Sequence, residues 1–478
     1  MDIVIDFTSI TDFFNQPIDM MLWRTFLLFG WIPIALAFLW GAKEVWIYYI
    51  RSKWGPTQKF LLLAIDIPRG NEQTPKAVEN FFAYLGGAHG TLNLIETYWE
   101  GKFQLSFSFE VVSMEGYTQF LVRTPTKFKD LVESGIYAQY PDAEITEVDD
   151  YTKGFPTKFP DDEYDVYGWE FIQKNHFAYP IKTYKDFEDQ IGETEAMYKD
   201  PLASLMDMCS SLRGGENFWY QLIVIPIGFE WPEEGEREIS KILGEKIKSD
   251  DNILDKISNS TVKWLGDFSE LIYQLWGDIK EKEEAEENRF KMMNLKPKEK
   301  KQVEAIQEKI SKLGFKFKIR MVYIAKREVM NKNKVAGGFV GFMKQFFYSD
   351  LNNLGPDLKK TSTRTSYFFK EARLNIKKNR IMRNYINRDD WAGKLPGIFN
   401  VEELASLWHF PVESVVRAPL IQKAPGRKAV PPIHLPVGEE IVSEQMLEPI
   451  FEDKSKKSDK ASSAPIIKGT PPANLPIG

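Results

Sequence analysis

Residues 25–42 form a run of eighteen without a charge, closed by Arg24 on one side and Lys43 on the other. A helix rises about 1.5 Å per residue, so this run covers roughly 27 Å, nearly the thickness of a hydrocarbon core. Apolar character resumes over residues 45–50, and Trp23, Trp46, Tyr48, Tyr49 and Trp54 stand where interfacial aromatics would. The pattern predicts a transmembrane helix over residues 23–53, kinked at Pro33 if anywhere. A buried core helix is the competing reading, disfavoured by the length of the uncharged run. A cleaved signal peptide fits worse, because Asp2, Asp6, Asp12 and Asp19 precede the run and Trp40 and Lys43 lie at its end. Arg51, Lys53 and Lys59 follow closely. The positive-inside rule then places the leader, residues 1–22, outside and the body in the cytoplasm, as a single-pass protein of the inner membrane.

Composition narrows the rest. The chain has 478 residues, enough for two or three domains, and a net charge of −6. One cysteine, Cys209, excludes an internal disulfide framework. The four histidines, His89, His176, His409 and His434, have no metal-ligand spacing. An aromatic content of 14% argues for packed cores.

Residues 60–150 read as one unit. The apolar run 60–67 predicts a buried strand. Thr74 and Pro75 open a helix carrying Val78, Phe81, Phe82 and Leu85, which Gly86 and Gly87 end. Phe103, Leu105, Phe107 and Phe109 alternate with polar residues as a half-buried strand does, and Glu115-Gly116 turns the chain back as a hairpin. A second helix follows Thr124-Pro125, and residues 143–148 close the unit as a strand. The order is β-α-β-β-α-β, the ferredoxin-like arrangement. Residues 149–168 read as an acidic linker. Nine acids fall within residues 142–165, where a solvated face is a better reading than a metal site.

The pattern returns over residues 165–350, with strands at 169–184, 218–227 and 315–325 and helices opening at Asp200-Pro201 and covering 335–347. A charged helical insertion, residues 230–313, interrupts this second unit. Residues 359–394 hold eleven basic and three acidic residues. This segment, extended to 416, predicts a basic helix interleaved with Tyr367, Phe368, Phe369, Tyr385 and Trp391. Lys377, Lys378, Arg380 and Arg383 are the candidate contacts to a nucleic-acid backbone or to anionic lipid; a solvated helix facing an acidic partner is the plainer alternative. Asn400 and Glu403 have capping-box spacing. Residues 418–478, rich in Pro, Lys and Ser, read as a disordered tail. The fold class expected is thus α+β: an N-terminal transmembrane helix, two ferredoxin-like units, the second interrupted, and a tail.

The sequence carries no Walker A loop, no G-x-G-x-x-G, no G-x-S-x-G, no H-E-x-x-H and no C-x-x-C. Residues 86–90, Gly-Gly-Ala-His-Gly, follow a helix instead of leading into one, so they read as a helix end and not a phosphate cradle. His89 and His409 have no acid or thiol beside them in sequence, and Cys209 lies on an apolar helical face. No catalytic residue, cofactor or metal is expected.

Four stretches resemble a known group of proteins: residues 67–80, Ile-Pro-Arg-Gly-Asn-Glu-Gln-Thr-Pro-Lys-Ala-Val-Glu-Asn; residues 107–112, Phe-Ser-Phe-Glu-Val-Val; residues 136–145, Ile-Tyr-Ala-Gln-Tyr-Pro-Asp-Ala-Glu-Ile; and residues 404–411, Leu-Ala-Ser-Leu-Trp-His-Phe-Pro. They are similar to the membrane-anchored N-terminal region of bacterial type IV secretion-type coupling and transfer ATPases, of the HerA/FtsK-like kind, across residues 20–435. In that group a proline-containing linker and a P-loop motor follow. Here residues 418–436 match the linker in style and no P-loop follows, so no catalytic residue carries over. The resemblance implies a non-catalytic component of a conjugation-like transfer apparatus. Its expected partners are the bilayer through residues 23–53, a separate transfer ATPase or other secretion subunits, DNA or anionic lipid at the basic segment, and a further copy of the chain. A membrane-tethered enzyme and a general membrane scaffold are the alternatives.

Overall fold

A computed structural model describes residues 17–68, 71, 73–191, 195–244 and 295–412. The leader up to residue 16, the middle of the insertion (245–294) and the expected tail lie outside the described residues. The chain opens with α1 (Ile18–Phe29) and α2 (Trp31–Trp54), followed by β1 (Phe60–Asp66), α3 (Pro75–Leu85), β2 (Phe107–Met114), β3 (Tyr117–Pro125), α4 (Lys129–Gln139) and β4 (Glu144–Val148). Then come β5 (Tyr164–Gln173), a small hairpin of β6 (Glu188–Ile191) and β7 (Glu195–Tyr198), α5 (Leu202–Ser210), β8 (Glu216–Pro226) and α6 (Trp231–Leu243). After the insertion follow α7 (Pro297–Ile310), β9 (Gly314–Lys326), α8 (Lys332–Lys344), β10 (Leu354–Pro356), α9 (Lys370–Ile386), β11 (Gly397–Asn400) and α10 (Val401–Leu407).

The expected transmembrane helix is corrected. Among the described residues no helix is long and apolar enough to cross a membrane. The uncharged run divides at Gly30, giving α1 twelve residues, or about 18 Å. The other part opens α2, whose second half carries Lys43, Glu44, Arg51 and Lys53. Each apolar length therefore falls short of the roughly 30 Å that a hydrocarbon core requires. The single-pass inner-membrane localisation and its orientation fall with the span. The helices instead extend from the body, to which Trp46 donates a hydrogen bond at Tyr98 O (2.7 Å) and Trp54 packs edge-on against Phe103 at 4.9 Å.

The two expected ferredoxin-like units are likewise corrected, from separate domains to the two halves of one continuous nine-stranded sheet. Its strands run β10-β5-β9-β8-β2-β3-β1-β4, with β11 added on β9, and every pairing is antiparallel. Each half has its strands in mirrored order about the β2–β8 junction, where Phe107 to Met114 pair with Val224 to Asn217. Joining the halves there covers the edge that either sheet would otherwise expose. The acidic stretch read as a linker is part of this body: Tyr151 and Phe155 stack edge-on against Trp219 at 5.3 and 5.0 Å, and β5 begins at Tyr164.

Strand alternation sorts the side chains into two faces. Phe107, Phe109, Val111, Phe218, Tyr220, Leu222, Ile319 and Met321 face the larger core with α3, α4, α5, α8 and α10. The opposite face holds Leu62, Ala64, Val112, Leu121, Trp219, Val322 and Ile324, covered by Ile381, Met382 and Tyr385 of α9. The Trp-His-Phe stretch that carries the resemblance lies in the larger core. Trp408 meets Phe109 at 4.9 Å and Phe410 at 5.1 Å. His409 is buried with one ring nitrogen 2.8 Å from Ala405 O and the other 3.0 Å from an Asp200 carboxylate oxygen, an acid two hundred residues away in sequence. The motif builds the core.

Both described ends of the insertion return to the body. The α7 residue Lys309 is fully buried and pairs with Glu403 of α10 at 2.9 Å, and it also donates to Ile398 O at 3.2 Å. Burial pushes the Lys309 ammonium down and the Glu403 carboxyl up. Removing one partner leaves the other charge without compensation, so Lys309→Met is expected to cost about 3–5 kcal/mol in urea unfolding at neutral pH. Adding Glu403→Gln removes the stranded charge but keeps only one of the two oxygens that accept from Ile181 and Asn400 N–H, so the double variant should lose less than the sum of the two single variants; strictly additive losses would refute the pairing.

Candidate nucleic-acid interface

The site is built outward from the sheet. One register row runs Glu170 (β5), Arg320 (β9), Gln221 (β8) and Glu110 (β2), each residue opposite the next. All four are buried on the face that α9 covers. Arg320 Nε donates to Glu170 Oε1 at 2.9 Å, Arg320 Nη1 to Gln221 Oε1 at 3.4 Å, and Gln221 Nε2 to Glu110 Oε1 at 3.0 Å. Four polar groups in an apolar sheet demand a polar cover. The segment after α9 supplies it. Arg320 donates to the carbonyls of Asn384 (3.1 Å), Ala392 (3.1 Å) and Asp389, and Lys394 N–H donates to Glu170 at 2.8 Å. Gly393 is required here. Its φ is 92°, and a Cβ would lie 2.4 Å from both Glu170 carboxylate oxygens.

Arg388 closes the other end. It is buried, with Nε 3.0 Å and Nη2 3.2 Å from the Glu110 carboxylate and a second fork on Asp150. Tyr151 OH also donates to Glu110, at 2.7 Å, and meets Tyr385 OH at 2.8 Å. Burial opposes ionisation of Glu110, but the charge and hydrogen bonds of Arg388 outweigh it and hold the carboxyl below its ordinary range; Asp150 behaves likewise. Nearby, burial pushes Lys318 down to about 8 and Arg123 down to about 10. This network is closed on itself and fixes α9 to the sheet.

The four candidate contacts on α9 separate accordingly. Lys378 points inward and is ion-paired with Asp165, which also holds Lys332 at 3.0 Å, so it is withdrawn from any phosphate. Lys377 is half-buried and donates to Arg364 O at 2.8 Å; burial, and then the charge of Arg373, lower its ammonium. Arg380 and Arg383 are exposed. The 3.6-residue period places them with Arg373 on the side away from Ile381 and Tyr385; Lys370 is exposed at the first turn. Sequence reasoning named four cations without knowing which side of α9 the sheet would take. The signal that would have shown it is one polar residue, Glu110, Gln221, Arg320 or Glu170, at the middle of each apolar strand. Among the described residues no group of three or more histidines, cysteines, aspartates and glutamates is placed to hold a metal. The acids read as a solvated face include Asp150 and Asp165, which are ion-paired. Cys209 is buried, its thiol pushed up to about 12 by burial. Gly86 to Ala88 form a 3₁₀ turn ending α3.

The α9 N-terminus carries a second feature. Tyr367, Phe368 and Phe369 project into solvent immediately before the helix and, with residues 370–372, line a shallow hollow.

A family model described as a domain of unknown function (DUF8128) matches residues 91–420, more than half of the chain, so the chain belongs to that family. Comparison with curated proteins gives no match. The matched span contains the polar row, its cover and α9.

The Arg388 clasp generates a pH test. A carboxyl held low in the fold contributes stability that is complete above its unfolded value, about 4.3 for Glu, and is lost as pH falls through the folded value. In Arg388→Met the Glu110 carboxyl keeps its burial and loses its charge partner, so its folded value rises and protonation becomes stabilising. The gap in melting temperature between parent and Arg388→Met should therefore narrow as pH falls from about 7 to about 4.5. A gap that widens over that window would contradict the assignment.

Proposed function

We propose that this member of the DUF8128 family is a binding subunit that holds the backbone of a nucleic acid along the exposed cations of α9. In this reading it serves a conjugation-like transfer apparatus whose motor ATPase is a separate chain. The observation that carries the reading is the division of α9: one side is locked to the sheet by Tyr385 and the Lys378–Asp165 pair, and the other presents Arg373, Arg380 and Arg383 on a rigid support, with Lys370 exposed at the first turn. Charge carried on a helix already fixed in the fold tracks a phosphate backbone without a backbone-ordering cost at each contact. The resemblance to transfer ATPases supplies the apparatus.

Binding of full-length protein to duplex DNA of unrelated sequences should weaken with salt and show little sequence preference, since phosphates carry no sequence information. Each phosphate contact contributes about 0.9 to the log–log salt slope, so Lys370→Gln with Arg380→Gln and Arg383→Gln should lower it by about 2 to 3. Lys378→Gln should lower thermal stability through its lost pair and leave the slope unchanged. Equal slopes for parent and triple variant would rule out this face as the contact.

A further inference from the structure

The turn before α9 adds a feature that charge alone does not use. Tyr367, Phe368 and Phe369 are 78%, 84% and 83% exposed, so they contribute nothing to either core. They are nevertheless held in place. Lys377 donates to Arg364 O, Arg373 Nη1 to Ser366 O at 3.2 Å, and Thr365 Oγ1 to Lys370 O at 3.2 Å. Tyr367 and Phe369 have φ values of 72° and 53°, left-handed conformations that bulky residues seldom adopt. A chain that strains its backbone to point three rings at water, and pins the turn from its own helix, is presenting those rings.

We infer that Tyr367, Phe368 and Phe369 form a stacking platform for the unpaired bases of a single-stranded nucleic acid whose backbone follows the α9 cations. The inference rests on the proposed function and deepens it by naming the ligand class. Residues 359–373 hold five basic residues and one acid, Glu371, so the surroundings of the rings attract a polyanion. Among polyanions, a duplex hides its base faces within its own stack and offers these rings nothing beyond charge. A single strand offers a π-face at every nucleotide, and rings beside a cationic track are how such strands are held without sequence preference. Phe368 stands between two residues with left-handed φ and is as exposed as Phe369.

The test measures anisotropy of a fluorescent oligothymidylate and of a labelled DNA duplex with full-length parent, Phe368→Ala, and the triple variant Lys370→Gln, Arg380→Gln, Arg383→Gln. Phe368 is exposed and has no left-handed φ, so Phe368→Ala should melt with the parent. Loss of one stacking ring is expected to weaken strand binding by about tenfold and leave duplex binding unchanged, whereas the triple variant should weaken both. Phe368→Ala binding the strand as tightly as the parent would overturn the platform while the charge reading survives. Failure of the parent to bind either DNA at low salt would overturn both. Capture of the parent by vesicles of anionic phospholipid, lost in Phe368→Ala, with no binding of the strand, would overturn the platform and assign the rings to lipid.

Discussion

Burial of Arg320 in the middle of a sheet governs this fold. A guanidinium removed from water there is tolerated only with a carboxylate and several acceptors around it. Glu170 lies directly opposite in the register, and the carbonyls of Asn384, Asp389 and Ala392 close over the remaining donors. Those carbonyls belong to the end of α9 and the turn that follows it. The charge on β9 thus requires residues 384–394 to lie where they do, and α9 with them. Glu110 makes the same demand from the other side of the β2–β8 junction and is answered by Arg388. The two ends of one row, contributed by the two halves of the sheet, fasten one helix.

That fastening gives the surface its character. An amphipathic basic helix alone could turn any side to solvent. Here Ile381, Met382 and Tyr385 sit against Trp219, Val322 and Ile324, and the Tyr385 ring is 5.4 Å from that of Trp219. With the rotation about its axis set, α9 commits Lys378 to Asp165 and leaves Arg380 and Arg383 to water. The same setting lets Lys377 and Arg373 reach back to the preceding turn. Two of the cations that make the region basic therefore also shape the tip where the aromatic rings are held.

Much of the fold was legible as periodicity. Of the alternating Phe103, Leu105, Phe107 and Phe109, the last two lie in strand β2, and the first two precede it. The capping box at Asn400 and Glu403 is present in the structure, with Asn400 Oδ1 accepting from Glu403 N–H at 2.9 Å. The union of the halves was not legible, because strand pairing across a hundred residues is set by which edges remain open, and no local pattern records that. The uncharged run misled for a related reason: composition gives its length, but the division at Gly30 and the charges of α2 decide how much apolar helix results. At the basic segment the residue types were legible and their directions were not. Lys377, Lys378, Arg380 and Arg383 look alike in sequence, and only Asp165, more than two hundred residues earlier, separates Lys378 from the others.

The sign of the whole chain and the sign of this surface differ, and distance decides which matters. A net charge of −6 over 478 residues is felt by a ligand far away, but at physiological salt a charge is screened beyond about 8 Å. A phosphate at α9 therefore responds to the few residues around it. The hydrogen bonds that Lys377 and Arg373 make to Arg364 O and Ser366 O go to neutral carbonyls, which orient the two cations without cancelling their charge. Lys378, by contrast, is neutralised by a carboxylate. Positive charge thus survives on the side of α9 that faces water and is cancelled on the side that faces the sheet. The polar row enforces the division, because it fixes the rotation of the helix before any ligand arrives.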